Sequence, residues 1–159
     1  MKIRSTLFLA LPIIIFSSCD SSRVFEDNSD FEEPIWKSND PKSFEFNITD
    51  NSNSYNLKAN IRSSIAYPFH NIYVQYDLLD SVGNSINSEL KEFYLFDQKT
   101  GEPQGDGLGD IFDNQFLLIG HHQFKATGNY KVELRQMMRL DSLPMILSVG
   151  LRVEKVESD

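Results

Sequence analysis

From Ser43 onward, apolar and polar residues alternate with a period of two, the pattern of strands buried on one face. Phe44, Phe46 and Ile48 alternate with Glu45 and Asn47. Asp50-Asn-Ser-Asn makes a turn, after which Tyr55, Leu57, Ala59 and Ile61 share one face and Asn56, Lys58, Asn60 and Arg62 the other. Tyr67-Pro68 breaks the run, and Ile72, Val74, Tyr76 and Leu78 resume it. Asp80-Ser-Val-Gly-Asn is a tight turn, because Gly83 and Asn84 tolerate positive φ. A strand over residues 86–96 follows. Its apolar parity switches between Leu90 and Phe93, which predicts a bulge that re-aims its end. Residues 97–110, with Gly101, Pro103, Gly105, Gly107 and Gly109, form the longest loop, and a short strand covers residues 116–119. Tyr130, Val132 and Leu134 face inward on the next strand, and residues 140–146 read as a short helical turn or a crossing loop. Leu147, Val149, Leu151 and Val153 line the last strand. Seven or eight such strands, with no heptads, long 3.6-residue pattern or internal repeat, predict an all-β fold. The class is an antiparallel β-sandwich, and jelly-roll topology is the first choice within it.

The amino-terminal segments follow other rules. Lys2 and Arg4 precede a short apolar run from Leu7 to Phe16, and Ser17-Ser18 then lead into Cys19. A basic start, an apolar run and small residues form the layout of a secretory signal. Small residues directly before a cysteine resemble the lipobox of bacterial lipoproteins, which implies cleavage before Cys19 and diacylglycerol on its thiol. A membrane span would need about 20 apolar residues, and this run is shorter and contains Pro12. Residues 20–33 are polar and acidic with isolated apolar side chains, and they predict a flexible tether. Trp36, in Pro34-Ile-Trp-Lys, is expected to pack at the domain edge. The predicted organisation is a signal peptide at 1–18, a lipidated amino terminus and tether at 19–40, and the sandwich at 41–157. With one cysteine in the chain no internal disulfide is available, so packing must hold the domain.

Charge narrows the partners. The 159 residues carry 15 Lys and Arg against 23 Asp and Glu, a net charge of −8. Loss of Lys2 and Arg4 with the signal would leave 13 cations against the same 23 acids, or −10. Such a chain repels phosphate backbones, so nucleic acid is not an expected partner. Asp97, Glu102, Asp106, Asp110 and Asp113 make the glycine-rich loop acidic. Calcium takes six to eight oxygens from a bending backbone, but the alternating acids of an EF-hand loop are missing, and the loop is read as a contact or packing element without metal. His121 and His122 are adjacent and point to opposite faces of an extended segment, so they cannot chelate one ion together. No Gly-x-Ser-x-Gly elbow is present. Neither catalysis nor a cofactor is expected. Arg62, Tyr67, Pro68, Tyr73 and residues 93–96 could stack a sugar, although core packing is the ordinary fate of large aromatics. Asp80-Ser-Val and Asp141-Ser-Leu resemble a short O-glycosylation signal of exported Bacteroidota proteins, or are two ordinary turns.

Five stretches resemble the gliding motility lipoprotein GldH family of Bacteroidota. They are Cys19-Asp-Ser-Ser-Arg-Val-Phe-Glu, Arg62-Ser-Ser-Ile-Ala-Tyr-Pro-Phe, Tyr94-Leu-Phe-Asp-Gln-Lys-Thr-Gly-Glu-Pro, Gly107-Leu-Gly-Asp-Ile-Phe-Asp and Gly150-Leu-Arg-Val-Glu-Lys. The resemblance implies a lipid-anchored envelope protein at the outer membrane, on its periplasmic face, serving gliding and the machinery linked to type IX secretion. It carries over no catalytic residues. The implied mode of action is contact with other envelope proteins, and the expected contact residues are Arg62, Tyr67, Tyr94, Asp97, Asp110 and Asp113. A glycan-binding or outer-membrane assembly module is the alternative.

Overall fold

In chain order the strands are β1 (Arg23–Asp30), β2 (Ile35–Lys37), β3 (Lys42–Ile48), β4 (Tyr55–Ser64), β5 (Asn71–Leu79) and β6 (Ser85–Tyr94). They continue with β7 (Asp106–Leu108), β8 (Ile111–His122), β9 (Gly128–Gln136), β10 (Ser142–Pro144) and β11 (Ile146–Lys155). The structure, a computed structural model, describes residues 20–156. One sheet has the order β1-β11-β4-β8-β7, the other β3-β9-β5-β6, and β2 pairs with β10 in a separate ribbon. Every pairing is antiparallel. With the three-residue strands set aside, the first long strand pairs with the last, the second with the seventh, the third with the sixth and the fourth with the fifth. That is one long hairpin ribbon rolled over itself, a jelly roll, so the predicted sandwich and its topology are both observed.

The alternation read from the sequence builds the core directly. Leu57, Ala59 and Ile61 on β4 and Val149, Leu151 and Val153 on β11 face Phe46, Ile72, Val74, Leu78, Val132 and Leu134 of the other sheet, all buried. Each fully buried Leu, Val or Ile contributes about 1.5–3 kcal/mol. Aromatic pairs close the two open sides: Phe93 of β6 stacks on Phe116 of β8 at 4.5 Å, and Phe25 of β1 meets Phe46 of β3 at 5.9 Å. Phe124 plugs one end, packed against Tyr55, His122 and Tyr130. At the other end Trp36 is fully buried, and its indole N–H donates to the Asp40 carbonyl at 3.1 Å. The sequence expectation for Trp36 holds.

Several expectations are corrected. The tether predicted at 20–33 is largely strand: β1 runs as the edge of the first sheet against β11. Its inward positions are Phe25, Asp27 and Ser29, and Val24 at the register shift also packs against the core, so β1 brings only these two apolar side chains to it. Half-burial of one Phe contributes about 1 kcal/mol, whereas ordering eight residues costs about 1 kcal/mol or more each. The backbone ladder makes up the difference, at about 1 kcal/mol per hydrogen bond. The strand is also pinned from the outer face. There Arg152 bonds Glu26 at 3.0 Å and Glu154 at 2.9 Å and pairs with Asp20. Composition carries no trace of either interaction.

The bulge expected between Leu90 and Phe93 is instead at Ile86, where the pairing with β5 slips between Leu78 and Leu79. From Asn87 to Tyr94 the register is continuous. The parity break arises because β6 is an edge strand that turns Asn87, Glu89 and Lys91 inward and leaves Leu90 outside. The buried Tyr76 hydroxyl donates to Asn87 at 2.8 Å, which accommodates that polar inward face. On β11 a bulge at Leu147 puts Ile146 rather than Leu147 in the core. The short strand at 116–119 is a twelve-residue β8, and residues 142–144 form β10 rather than a helical turn.

Two outcomes test how β1 is held. A Cβ on Gly150 would lie 1.9 Å from Asn28 Oδ1 and 2.6 Å from the Asp27 carbonyl, so Gly150→Ala must push β1 off the sheet. We expect a loss of about 2 kcal/mol in urea unfolding and faster amide exchange across Arg23–Asp30; unchanged exchange there would contradict the pairing. The second test is acid. The Asp20 carboxyl is drawn down to about 2, first by the hydrogen bond from Arg152 and then by Ser22. Glu26 and Glu154 also sit below the usual range: burial pushes them up, but Arg23 and Asn60 on one and Lys58 and Arg152 on the other outweigh it. Carboxyls depressed by folding add stability above their unfolded values and lose it as pH falls through the folded ones. Amide resonances of residues 20–26 should therefore stay native-like at neutral pH and move to random-coil positions as pH falls from 3.8 towards 2.

Candidate functional site

The sequence-predicted contact residues do not form one site. Arg62, outward on β4, meets Asp113 of β8 in a bidentate pair, with Nε donating to Oδ1 at 2.7 Å and Nη2 to Oδ2 at 3.2 Å. Both side chains are about half exposed, so the pair contributes under about 1 kcal/mol. Tyr67 lies in the core. Its hydroxyl donates to the Asn71 carbonyl at 2.9 Å, its ring packs on Phe69 and Phe96, and burial pushes its phenol well above the usual range. Tyr67 is therefore a packing residue, not a contact residue, because the Pro68 corner folds its ring back under the sheet. Tyr94 is half-buried and stacks on His70 at 6.0 Å. Asp97 organises its own turn, accepting the Lys99 and Thr100 backbone N–H groups at 2.8 Å each. Asp110 contributes its carbonyl, which accepts the Ile65 N–H at 2.8 Å. Asp97 and Asp113 thus use their carboxylates in separate contacts, and Asp110 uses its backbone carbonyl. Among the described residues no group of three His, Cys, Asp or Glu side chains is placed to hold a metal.

A different surface gathers exposed apolar side chains. Phe69, Tyr73, Leu90, Met137, Met138, Arg139 and Leu140 line an open cleft of about 580 Å³ on the outer face of β5 and β6. Tyr73, Leu90, Met137 and Leu140 are exposed. Exposed single apolar residues are ordinary, and a contiguous group lining a cleft is a candidate interaction surface. Methionine suits it, since an unbranched thioether adapts to varied partners.

The lip of the cleft is held by a buried polar residue. Gln136, the last residue of β9, is fully buried; its Nε2 donates to the Leu140 carbonyl at 2.8 Å, and its Oε1 accepts the Met138 N–H at 2.8 Å. The Met137 N–H donates to the Tyr73 carbonyl at 2.8 Å, and the Tyr73 N–H points at Met138 Sδ at 3.4 Å. The loop is therefore clamped to β5. Beside it, Glu92 sits below the usual carboxyl range, held chiefly by the Asn71 amide, with burial opposing and the Tyr73 and Tyr94 hydroxyls adding to the pull.

A sequence profile of the GldH lipoprotein family matches residues 23–153. The chain belongs to that family. The match begins at the first residue of β1 and ends within β11, so it spans the rolled ribbon from its first strand to its last. The chain is 29% identical over 161 residues to the gliding motility lipoprotein GldH homolog of Christiangramia forsetii, covering 97% of each. It is 28% identical over 162 residues to the gliding motility lipoprotein GldH of Flavobacterium johnsoniae, covering 98% of this chain and 99% of that one. Among solved structures it is similar to the VP2 subviral particle of infectious bursal disease virus, at a TM-score of 0.38 and 13% identity over 91% of this chain and 37% of that one. A structure of the Gx strain of the same virus gives 0.39 and 12%, over 96% and 40%. The GldH lipoprotein assignment places the protein in an envelope lipoprotein family rather than a known enzyme family.

The cleft left one signal in the sequence. Leu90 breaks strand parity because it faces outward into the cleft, and Met137-Met138 directly follows the clearest strand of the second half. Gln136→Leu tests the clamp. The change leaves the Met138 N–H and the Leu140 carbonyl without their buried partner, at a cost of about 1–3 kcal/mol each. We expect a lower urea midpoint together with faster amide exchange confined to residues 137–140; unaltered exchange there would show that Gln136 does not hold the lip.

Proposed function

We propose that Cys19 carries the lipid and that the chain is a non-catalytic part of the gliding machinery, and of the secretion apparatus linked to it, acting by contact at the outer membrane on its periplasmic face. Cys19 lies outside the described residues, so the lipid reading rests on the lipobox-like sequence and on the lipoprotein family. The gliding role is supported by two near full-length relatives named for gliding motility. The observation that carries the contact mechanism is the cleft, apolar, adaptable and clamped in place by Gln136 and Tyr73. The Arg62–Asp113 pair and the turn at Asp97 lie towards the same end of the roll, but Arg62 and Asp113 are on the outer face of the opposite sheet. Arg139 on the cleft rim offers a cation to a partner's carboxylate. Confinement to a bilayer raises local concentration, so a cleft of modest affinity is sufficient.

The test separates anchor from contact. Cys19→Ala should move the protein from the membrane to the soluble fraction. Met137→Glu with Leu140→Glu should leave it membrane-bound and folded but abolish colony spreading. A photo-crosslinker at Leu90 should capture a motility or secretion component, and the same probe at Ser52, on the opposite end, should not. Normal spreading by the double variant would refute the cleft as the working surface.

A further inference from the structure

The roll has two ends, and the anchor belongs to one of them. β1, β4, β6 and β9 begin, and β3, β5, β8 and β11 finish, at the end bearing the turns at residues 50–54, 80–84 and 123–127. Asp20 is fixed at that end. Its carboxylate pairs with Arg152, it accepts the Ser22 N–H at 3.2 Å, and the Ser22 carbonyl accepts the Lys155 N–H at 2.8 Å. Cys19 is one peptide bond away, and consecutive Cα atoms are only about 3.8 Å apart. A lipid there has no slack chain between it and the folded body. The cleft and the residues 97–110 loop lie towards the other end. β4 has ten residues, and at about 3.3 Å per residue that end stands about 30 Å away.

Charge divides the same way. Loops at the far end carry Glu32, Glu33, Asp40, Asp97, Glu102, Asp110 and Asp141 against Lys99 and Arg139. The three turns at the near end carry only Asp50, Asp80 and Lys125, and Asp20, paired with Arg152, and Lys155 lie beside them. The outer face of the first sheet is the other surface within reach of the anchor, and around a polar groove it presents Glu26, Asp30, Asp106 and Asp113, of which Asp113 is paired with Arg62 and Glu26 with Arg152. Pressing those carboxylates onto lipid would cost their hydration.

We propose that the domain stands end-on on the bilayer, with the turns at 50–54, 80–84 and 123–127 against the lipid head groups and the cleft held away from them. This rests on lipidation at Cys19. The partner of the near end is then a lipid surface, and the β1–β11 ladder with the Asp20–Arg152 pair serves as a splint in place of a tether.

The test uses the lipidated full chain, in which an added cysteine is the only free thiol. Ser81→Cys, Gln115→Cys and Leu108→Cys place a fluorophore on the near end, the sheet face and the far end. Each is reconstituted in phosphatidylethanolamine–phosphatidylglycerol vesicles with nitroxide-labelled head groups. The proposal requires several-fold stronger quenching at residue 81 than at 108, with 115 between them. Quenching at 115 equal to or above that at 81 means the domain lies flat, and equal quenching at all three means it swivels; either overturns the proposal. Asp20→Asn should flatten the gradient while the protein still floats with the vesicles, and an unchanged gradient would remove the splint from the account. Protein that fails to float at all refutes lipidation instead, so the two failures are told apart.

Discussion

The pairing of β1 with β11 is the constraint on which the rest depends. In a rolled ribbon the first and last strands are the outermost rung, and their ladder fixes where the chain enters the body. With one cysteine in the chain, noncovalent forces must hold that rung. Apolar burial is the dominant force elsewhere in the sandwich, yet β1 offers the core little beyond Phe25. Backbone hydrogen bonds and the charge cluster at Arg152 hold it instead. Arg152 is largely buried: burial works against its charge, and Asp20, Glu154 and Glu26 more than restore it. A buried cation with three carboxylate partners is costly to leave half-satisfied, so the cluster keeps β1 in one register.

That explains which parts of the fold were legible. Strands buried on one face announce themselves through alternation, and β3, β4, β5, β9 and β11 were all readable because each turns an unbroken apolar row to the core. The edge strands were not. β1 presents acids and amides on both faces, so it has the composition of a tether. β6 keeps Phe93 inside but turns Asn87, Glu89 and Lys91 inward, which mimics a bulge. Period-two reasoning senses burial, and edge strands are ordered mainly by ladder bonds that every residue except proline can make. The topology follows from pairing partners, which a single sequence does not display.

The site was legible only in fragments. Arg62 and Asp113 come together through β4–β8 register, a long-range fact with no local signature. Tyr67 was misplaced because an aromatic beside a proline at a corner can face either way, and here its hydroxyl finds the Asn71 carbonyl inside. The cleft combines side chains from the segment before β5, the middle of β6 and the loop after β9. The signal that pointed to it, outward Leu90, has a simpler explanation as an irregular strand. Gln136 was invisible for a related reason. A polar residue closing an apolar row looks like the end of a strand, whereas it is a buried bracket with both ends of its amide used.

The two findings, a splinted entry and a pre-clamped cleft, share one physical economy. A lipid anchor confines a protein to two dimensions but does not orient it, and a flexible tether would let the cleft face the bilayer, where lipid would compete for Met137 and Leu140. Apolar contact surfaces beside a membrane therefore need distance from it or a guard. In the proposed orientation the length of the strands would supply that distance, and the pairing of residues 23–30 with β11 would keep it. The same acidic residues that make this segment look disordered supply the carboxylates that lock it to Arg152. In the proposed end-on orientation, their polarity at the near end and the methionines at the far end would be two halves of one arrangement: ion pairs that hold the entry strand, and an adaptable apolar surface set away from the lipid.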